Sequence, residues 1–327
     1  MKIILMAGGF GLRLHPLTFD RPKALVPFIN KPIINHIFDW LKRQGFNDII
    51  LTTQHRAEEI EAYCGNGEAW GLHLTYVFEP YRLSTAGSVK NAQPLVGDET
   101  FLVISCDLVT DIDLHALIAF HYQKKAQATI ALKQLAETIQ YGVVFTDTNG
   151  RVTNYIEKPR RTEAKSNLVN AGIYVLEPSV LTTMQPKRVY DFSYDIFPQM
   201  VQAEAPIFGY EVNHYWCDIG TISNYKQATI DVLMGKIPQL DLGQQLQPQL
   251  WVGQNVSLAA DATLNGPIYL GHNVKISTQV TIEGPTVIGD DTVVKPHAHI
   301  KQSIIGQYCL IPEATQLQTV IMPDYTT

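Results

Sequence analysis

The chain has 327 residues, 46% of them hydrophobic and 17% charged, a length and composition that favour two domains with substantial cores and no large disordered region. A formal net charge of -6 argues against nonspecific nucleic-acid binding, which needs basic surface, and no apolar run approaches the roughly 18 residues of a membrane span. The chain enters an apolar run directly with no leader pattern, and Cys64, Cys106, Cys217 and Cys309 contain no C-x-x-C. The expectation is a cytoplasmic protein with reduced thiols, neither disulfide-framed nor zinc-bound through cysteine pairs.

Lys2 to Met6 reads as a short buried strand. It breaks into Ala7-Gly8-Gly9-Phe10-Gly11-Leu12-Arg13, where glycines let backbone N–H groups approach and curl around an anion. Arg13 and, further on, Lys23 add a planar fork and a point charge suited to phosphate oxygens. The stretch reads as a triphosphate cradle at the carboxyl end of the first strand, where open α/β sheets bind ligands. A dinucleotide fingerprint lacks its third glycine, since Leu14 stands there, and no Gly-Lys-Ser/Thr of a P-loop occurs. A plain glycine-rich turn with solvated cations stays open at this point.

Ile33, Ile34, Ile37, Phe38 and Leu41 share one helical face, and Gly45 follows as a stop. Strands are expected at Asp48–Thr53, Leu72–Phe78 and Phe101–Cys106, with a short helix at 57–63 between the first two. Each strand is largely a continuous apolar run, the pattern of a parallel sheet covered on both faces. Val143–Thr148 and Arg151–Ile156 flank Asn149-Gly150, a hairpin signal and hence an antiparallel excursion. Ala171–Leu176, Ile207–Val212 and a helix over 222–233 complete the first domain, 1–234. Residues 235–250, rich in Gln and Pro, read as a linker.

Beyond it Val252, Leu258, Leu264, Leu270, Ile276, Ile282, Ile288, Val294 and Ile300 recur at every sixth position, and Val256, Ala262, Ile268, Val274, Val280, Thr286, Thr292, Ala298 and Ile304 form a second lattice. Gly253/Gly271/Gly289 and Asn255/Asn273/Asp291 superimpose a period of 18. Six residues per face and three faces per coil predict a hexapeptide parallel β-helix over 251–327. The tail after Gly306 loses register and is expected to cap the open end.

Gly8-Gly9-x-Gly11-x-Arg13-Leu14-x-Pro16-Leu17-Thr18, then Pro22-Lys23-x-Leu25-x-Pro27 and Lys31-Pro32, together resemble the signature of the sugar-1-phosphate nucleotidyltransferases. The resemblance runs across both domains and implies a Rossmann-like α/β nucleotidyltransferase domain with a mostly parallel sheet, followed by a left-handed parallel β-helix. It gives Arg13 and Lys23 catalytic roles and places Ala7, Gly8, Gly9 and Gly11 against the nucleotide. Glu79 and Leu83-Ser84-Thr85-Ala86-Gly87 correspond to the nucleobase wall, through Glu79, Thr85, Ala86 and Gly87. Gly142, Glu157, Lys158, Asn170 and Gly172 fall on the family's sugar-phosphate pocket.

Nucleotidyl transfer needs a divalent ion to neutralise phosphate charge. The family's two aspartate ligands for Mg2+ fall on Asp107, after the central strand, and Asp218, in Trp216-Cys217-Asp218-Ile219-Gly220-Thr221. On position alone Asp107 is equally a turn former or helix cap, and an arbitrary Glu-Lys-Pro is a solvated ion pair. Cys106 and Cys217, each beside a proposed ligand, read as packing residues turned away from the ion.

The implied substrates are a nucleoside triphosphate and a sugar 1-phosphate, with GTP and mannose 1-phosphate favoured by the Leu83–Gly87 segment. Glucose 1-phosphate with adenine or thymine nucleotides is the alternative. Leu12, Ser84 and Cys106 depart from the usual threonine, glycine and glycine, which keeps open a weakened regulatory paralogue that binds nucleotide sugar. The β-helix implies a homo-oligomer; an acyltransferase role for it is disfavoured, with only His272, His297 and His299 as candidate bases.

Overall fold

A computed structural model describes residues 1–325; Thr326 and Thr327, the end of the expected repeat domain, lie outside the described residues. The chain divides into two compact units, one of Met1–Phe10, Pro22–Ala24 and Ile37–Trp216, the other of Gly11–Arg21, Leu25–His36 and the chain from Cys217 onward.

The first unit is built on a nine-stranded sheet of β1 (Ile3–Met6), β2 (Asp48–Thr53), β3 (His73–Phe78), β4 (Phe101–Ser105), β5 (Ala128–Gln134), β6 (Gly142–Thr146), β7 (Val152–Glu157), β8 (Leu168–Leu176) and β9 (Ile207–Val212). The order is β7-β6-β8-β4-β1-β2-β3, with β5 beside β8 and β9 beside β5. β1 runs parallel to β2 and β4, and β2 to β3. The apolar runs 3–5, 49–51 and 101–104 are wholly buried, as strands with both faces covered require. β8 is antiparallel to β4 and β5, and β6–β7 is the expected hairpin, with Gly150 at φ 81 in its turn.

Among the elements that had no forecast are β5 and the helices Ser84–Val96 and Leu114–Lys124. The first of these helices contains Gly87 and Pro94, both poor helix formers. Tertiary packing decides it instead: Ala86, Val89, Ala92 and Val96 join a core with Ile4, Ile50, Phe101, Val103 and Ile130.

In the second unit, strands from Leu250 onward stack into three parallel sheets, the β-helix read from the period of six. Leu270, Ile276, Ile282, Ile288, Val294 and Ile300 all point into one core with Val274, Val280 and Ala298. Coil corners at Asn255, Asn273 and Asp291 have φ of 56–57, which Asn and Asp tolerate better than other side chains, and the three side chains hydrogen-bond up the stack.

The tail after Gly306 shifts register, as expected, and stays in the stack: Leu310–Ile311, Gln316–Gln318 and Ile321–Met322 form a further coil. Leu270 pairs with Ile288, eighteen residues on, but Ile288 pairs with Ile305, seventeen on. One residue is missing at the turn where Gln302-Ser303 replaces Gly284-Pro285-Thr286, so the inward position expected for Ile304 belongs to Ser303, which is wholly buried, and Ile305 enters the core. The Gln-rich stretch is also not wholly irregular, since Gln244–Gln247 pairs antiparallel with Leu250–Val252. Among the described residues no helix is long and apolar enough to cross a membrane, and none of the four cysteines forms a disulfide.

Candidate active site

In the first unit the glycine loop leaves the carboxyl end of β1, beside the end of β4. Met6 pairs with Ser105, the Cys106 N–H donates to the Met6 carbonyl at 3.1 Å, and the Ala7 N–H donates to Thr52 at 2.9 Å. This brings Ala7 and Asp107 together at the carboxyl ends of the central strands β1 and β4. A Cβ on Gly8 would press at 3.3 Å on Gln54, whereas one on Gly9 would meet open space. Phe10 stacks on His55 with ring centroids 4.6 Å apart.

The Lys23 ammonium donates to Asp107 Oδ2. Both side chains are partly exposed, so the pair can exchange its contacts for a ligand's. Cys106 is buried, and burial holds its thiol far above the ordinary range, which fits the packing role expected of it.

Glu79 is only 5% exposed. It accepts from the Ser88 hydroxyl and, at 3.4 Å, from the Leu83 N–H, yet burial outweighs these bonds and raises its pKa. It pins the start of the Ser84–Val96 helix from beneath. Thr85 donates to Asp191 Oδ2 at 3.0 Å and accepts from the Phe192 N–H at 3.0 Å. Ala86 is buried, and a Cβ on Gly87 would lie 2.7 Å from the Arg188 carbonyl, so this glycine admits the 188–190 backbone.

Of the five residues expected at the sugar phosphate, Gly142 and Asn170 meet Tyr155 directly. Gly142 pairs with Glu157 across the hairpin; a Cβ there would fall on the Tyr155 hydroxyl and lie 2.7 Å from Glu157 Oε2. Asn170 donates to the Tyr155 and Tyr174 hydroxyls, at 2.9 Å each, and accepts from the Gly172 N–H at 2.9 Å. Gly172 has φ 72 and sits against Ser105, two residues before Asp107 in the chain. Glu157 and Lys158 lie 3.6 Å apart, with side chains 13% and 54% exposed. Burial raises the Glu157 pKa against the pull of Lys158, leaving a shielded acceptor beside an accessible cation.

Three residues escaped the sequence reading: Tyr155, Ser193 and Asp191. Tyr155 donates to Ser193 at 2.8 Å. Asp191 accepts from Ser84, Thr85 and the Ser193 and Tyr194 N–H groups, so it ties the Ser84–Thr85 segment to the turn that meets Tyr155 through Ser193. Its signal was an aspartate opening a helical turn, the N-cap pattern.

In the second unit Gly11, at φ 67, opens the turn Leu12–Leu14. Arg13 and Leu12 are exposed. A Cβ on Gly220 would lie 2.7 Å from Asp218 Oδ1 and 3.1 Å from the Arg13 guanidinium, so the guanidinium and carboxylate share the space that this glycine leaves. Asn224 fixes the Asp218 backbone by donating to its carbonyl at 2.8 Å.

A phosphate-approaching loop on an α/β sheet, with cations, carboxylates and a polar pocket, defines a nucleotide-handling transferase. The family model described as nucleotidyl transferase matches residues 2–234. A mannose-1-phosphate guanyltransferase of Yarrowia lipolytica is 37% identical, over 94% of this chain and 86% of its own length. A UTP–glucose-1-phosphate uridylyltransferase of Synechocystis is 34% identical, over 82% and 73%. A crystal structure named for a glucose-1-phosphate thymidylyltransferase of Bacillus anthracis, in complex with a sucrose, superposes with a TM-score of 0.65 at 25% identity, over 75% of this chain and 98% of that one. The chain belongs to the nucleotidyl transferase family.

Proposed function

We propose that this enzyme transfers the nucleoside monophosphate of GTP to mannose 1-phosphate, giving GDP-mannose and pyrophosphate. The observation that carries the reading is the Lys23–Asp107 pair beside the strand end from which the glycine loop departs. It sets an ammonium for phosphate and a carboxylate for a cation at one point. The sugar-phosphate oxygen attacks the α-phosphorus in line as the bond to pyrophosphate breaks; the attacking phosphate is already ionised, so no general base is needed.

Arg13 and Lys23 offset the charge that builds on the phosphates. Glu157 accepts from sugar hydroxyls, Lys158 meets the sugar phosphate, and the Gly142, Asn170 and Gly172 segments wall the pocket. Thr85, Ala86 and Gly87 carry the base, with Glu79 bracing them. Hard carboxylate oxygens at Asp107 and at Asp218, the latter set around the side-chain-free Gly220, suit Mg2+, which when bound would supply Lewis-acid neutralisation of the α-phosphate and departing pyrophosphate.

Guanine and mannose are favoured by the Yarrowia relative's coverage and by the Leu83–Gly87 segment. The Synechocystis relative supports the second reading, a uridylyl or related transfer to glucose 1-phosphate. We also place the transferase in 1–234, a linker in 235–250 and an assembly-forming β-helix in 251–327 of a cytoplasmic homo-oligomer; the family match ending at 234 supports the first boundary.

Pyrophosphate release over GTP, UTP, dTTP and ATP against mannose 1-phosphate and glucose 1-phosphate tests the assignment. GTP with mannose 1-phosphate should give the highest kcat/KM. A preference for glucose 1-phosphate would move the enzyme to the second reading. No turnover with any pair, alongside a melting temperature raised by GDP-mannose, would identify a regulatory paralogue.

A further inference from the structure

The second unit contains two pieces of the signature segment together with the β-helix, and two aspartates of the β-helix hold them. Asp290 and Asp324 occupy one column of the stack, following the Gly253/Gly271/Gly289 edge. In each, a carboxylate oxygen accepts a backbone N–H of the preceding coil: His272 donates to Asp290 Oδ1 and Gln307 to Asp324 Oδ1, both at 2.7 Å. Each aspartate also takes a donor from the signature segment. Asn30 Nδ2 donates to Asp290 Oδ1 at 3.0 Å, and the Arg21 guanidinium donates to Asp324 Oδ2 at 2.6 Å.

These anchors are built. Asn30 lies in the turn of the Pro27–Phe28/Lys31–Pro32 hairpin, at φ 61, and a Cβ on Gly271 would occupy the place of its amide. The hairpin is fixed from another side by Tyr225, whose hydroxyl donates to the Pro27 carbonyl at 2.7 Å. Asp324 has a side chain only 8% exposed. Arg21 is clamped in parallel by Asp20, through Nε and a terminal nitrogen at 3.0 and 3.1 Å.

Between Gly11 and Arg21 the loop is tied to itself. Leu14 donates to Gly11, Leu17 to Leu14 and Phe19 to Pro16; the Thr18 hydroxyl returns to the Gly11 carbonyl at 2.9 Å, and Phe19 stacks on His15. A loop so connected moves largely as one body. Fixing Arg21 therefore fixes the backbone that carries Arg13, whose solvent-exposed side chain reaches the space beside Asp218 that Gly220 leaves.

We propose that Arg21 and Asp324, with Asn30 and Asp290 as a second anchor, are positioning residues through which the β-helix presets the loop bearing Arg13 for the nucleoside triphosphate. The assignment rests on the reading of that loop as a phosphate cradle. Preorganisation is where such a device acts, since a guanidinium held in place costs no reordering when charge develops.

Arg21→Gln is the primary variant, because it leaves Asp324 and its bond to Gln307 intact; Asp324→Asn and the double variant complete a cycle, with Arg13→Gln as the reference. Hydrogen exchange over residues 11–20 is measured on the ligand-free full-length protein, and initial rates with GTP and mannose 1-phosphate. Arg21→Gln should speed exchange in 11–20 while leaving the β-helix strands protected. It should lower kcat/KM for GTP about tenfold with the KM for mannose 1-phosphate unchanged, and the double variant should lose little more than either single. Unchanged exchange in 11–20 would overturn the anchoring. Wild-type kinetics in Arg21→Gln with an inactive Arg13→Gln would overturn the positioning role and leave the cradle reading standing, whereas wild-type kinetics in both would bring down the cradle reading itself. Equal losses toward both substrates would mark a general structural role and equally refute the proposal.

Discussion

Glu79 is a buried carboxylate served by only two donors, Ser88 and Leu83, and burial lifts its pKa above the ordinary value. The folded chain thus binds this proton more tightly than the unfolded chain. The stability it contributes is fully present below the unfolded carboxylate pKa of about 4.3 and is lost as pH rises through the raised folded value. Glu79→Gln cannot ionise; its amide oxygen keeps one of the two donors, which sit on different carboxylate oxygens, so a pH-independent offset is expected beneath the pH trend. Urea midpoints at pH 4 and pH 7.5 should show the variant gaining on wild type as pH rises; a constant gap would mean that Ser88 and Leu83 fully compensate the charge. In the proposed reaction Asp107 and Asp218 are, by contrast, carboxylates whose charge is needed. Replacing either by Asn keeps shape and deletes charge, and turnover should fall on the order of a hundredfold, equivalent to about 2.7 kcal/mol of barrier. If both serve one cation, the double variant loses much less than the sum of the singles. Pyrophosphate release rates with unaltered ligand-free melting check this, and additive losses would separate the two roles.

The helix Ser84–Val96 shows how an element can depart from a family pattern without losing its place. Ser84 stands where glycine is usual, and it adopts φ 60, the conformation that would call for glycine. The left-handed geometry costs roughly 1–2 kcal/mol for a residue with a Cβ, and the hydrogen bond from Ser84 to the Asp191 carboxylate at 2.8 Å returns about 1.5–3 kcal/mol. Ser84→Ala keeps the strain and loses the bond, whereas Ser84→Gly loses both. The glycine variant should therefore be the more stable of the two by about 1 kcal/mol, read from urea unfolding; an alanine variant as stable as wild type would show that the Asp191 bond contributes nothing. What was legible in the sequence follows the same division. Asp48–Thr53, Ile207–Val212 and Ile222–Leu233 carry their own signals, in apolar runs and a capping threonine. The Ser84–Val96 helix is set by contacts with residues 188–192, more than ninety positions away, and Tyr155, Ser193 and Asp191 become visible only when the hairpin and those residues meet. The one-residue shortening at Ser303 was hidden for a different reason. Ile304 continues the period of six by chance of composition, and only the pairing of Ile288 with Ile305 exposes the slip.

At the scale of the whole chain, the second compact unit does not begin where the repeats begin. It takes in Gly11–Arg21 and Leu25–His36, which carry Arg13 and much of the signature, so the order of the β-helix and the order of these segments should be lost together. Ile276, inside the β-helix core, tests this. It is 3% exposed, stacked between Leu258 and Val294, within a cluster of apolar side chains. Ile276→Asp buries an unpaired charge, a cost of several kcal/mol, which is a large part of the roughly 5–15 kcal/mol that holds a typical domain. If the repeats were an independent appendage, the variant would lose protease resistance beyond residue 250 and keep its turnover. The shared packing predicts otherwise: cleavage should appear both beyond 250 and within 11–21, and pyrophosphate release should fall at least tenfold, while the strands β1, β2 and β4 stay protected in hydrogen exchange. Full activity in a variant whose β-helix is demonstrably open would show that Gly11–Arg21 holds its conformation without the coils.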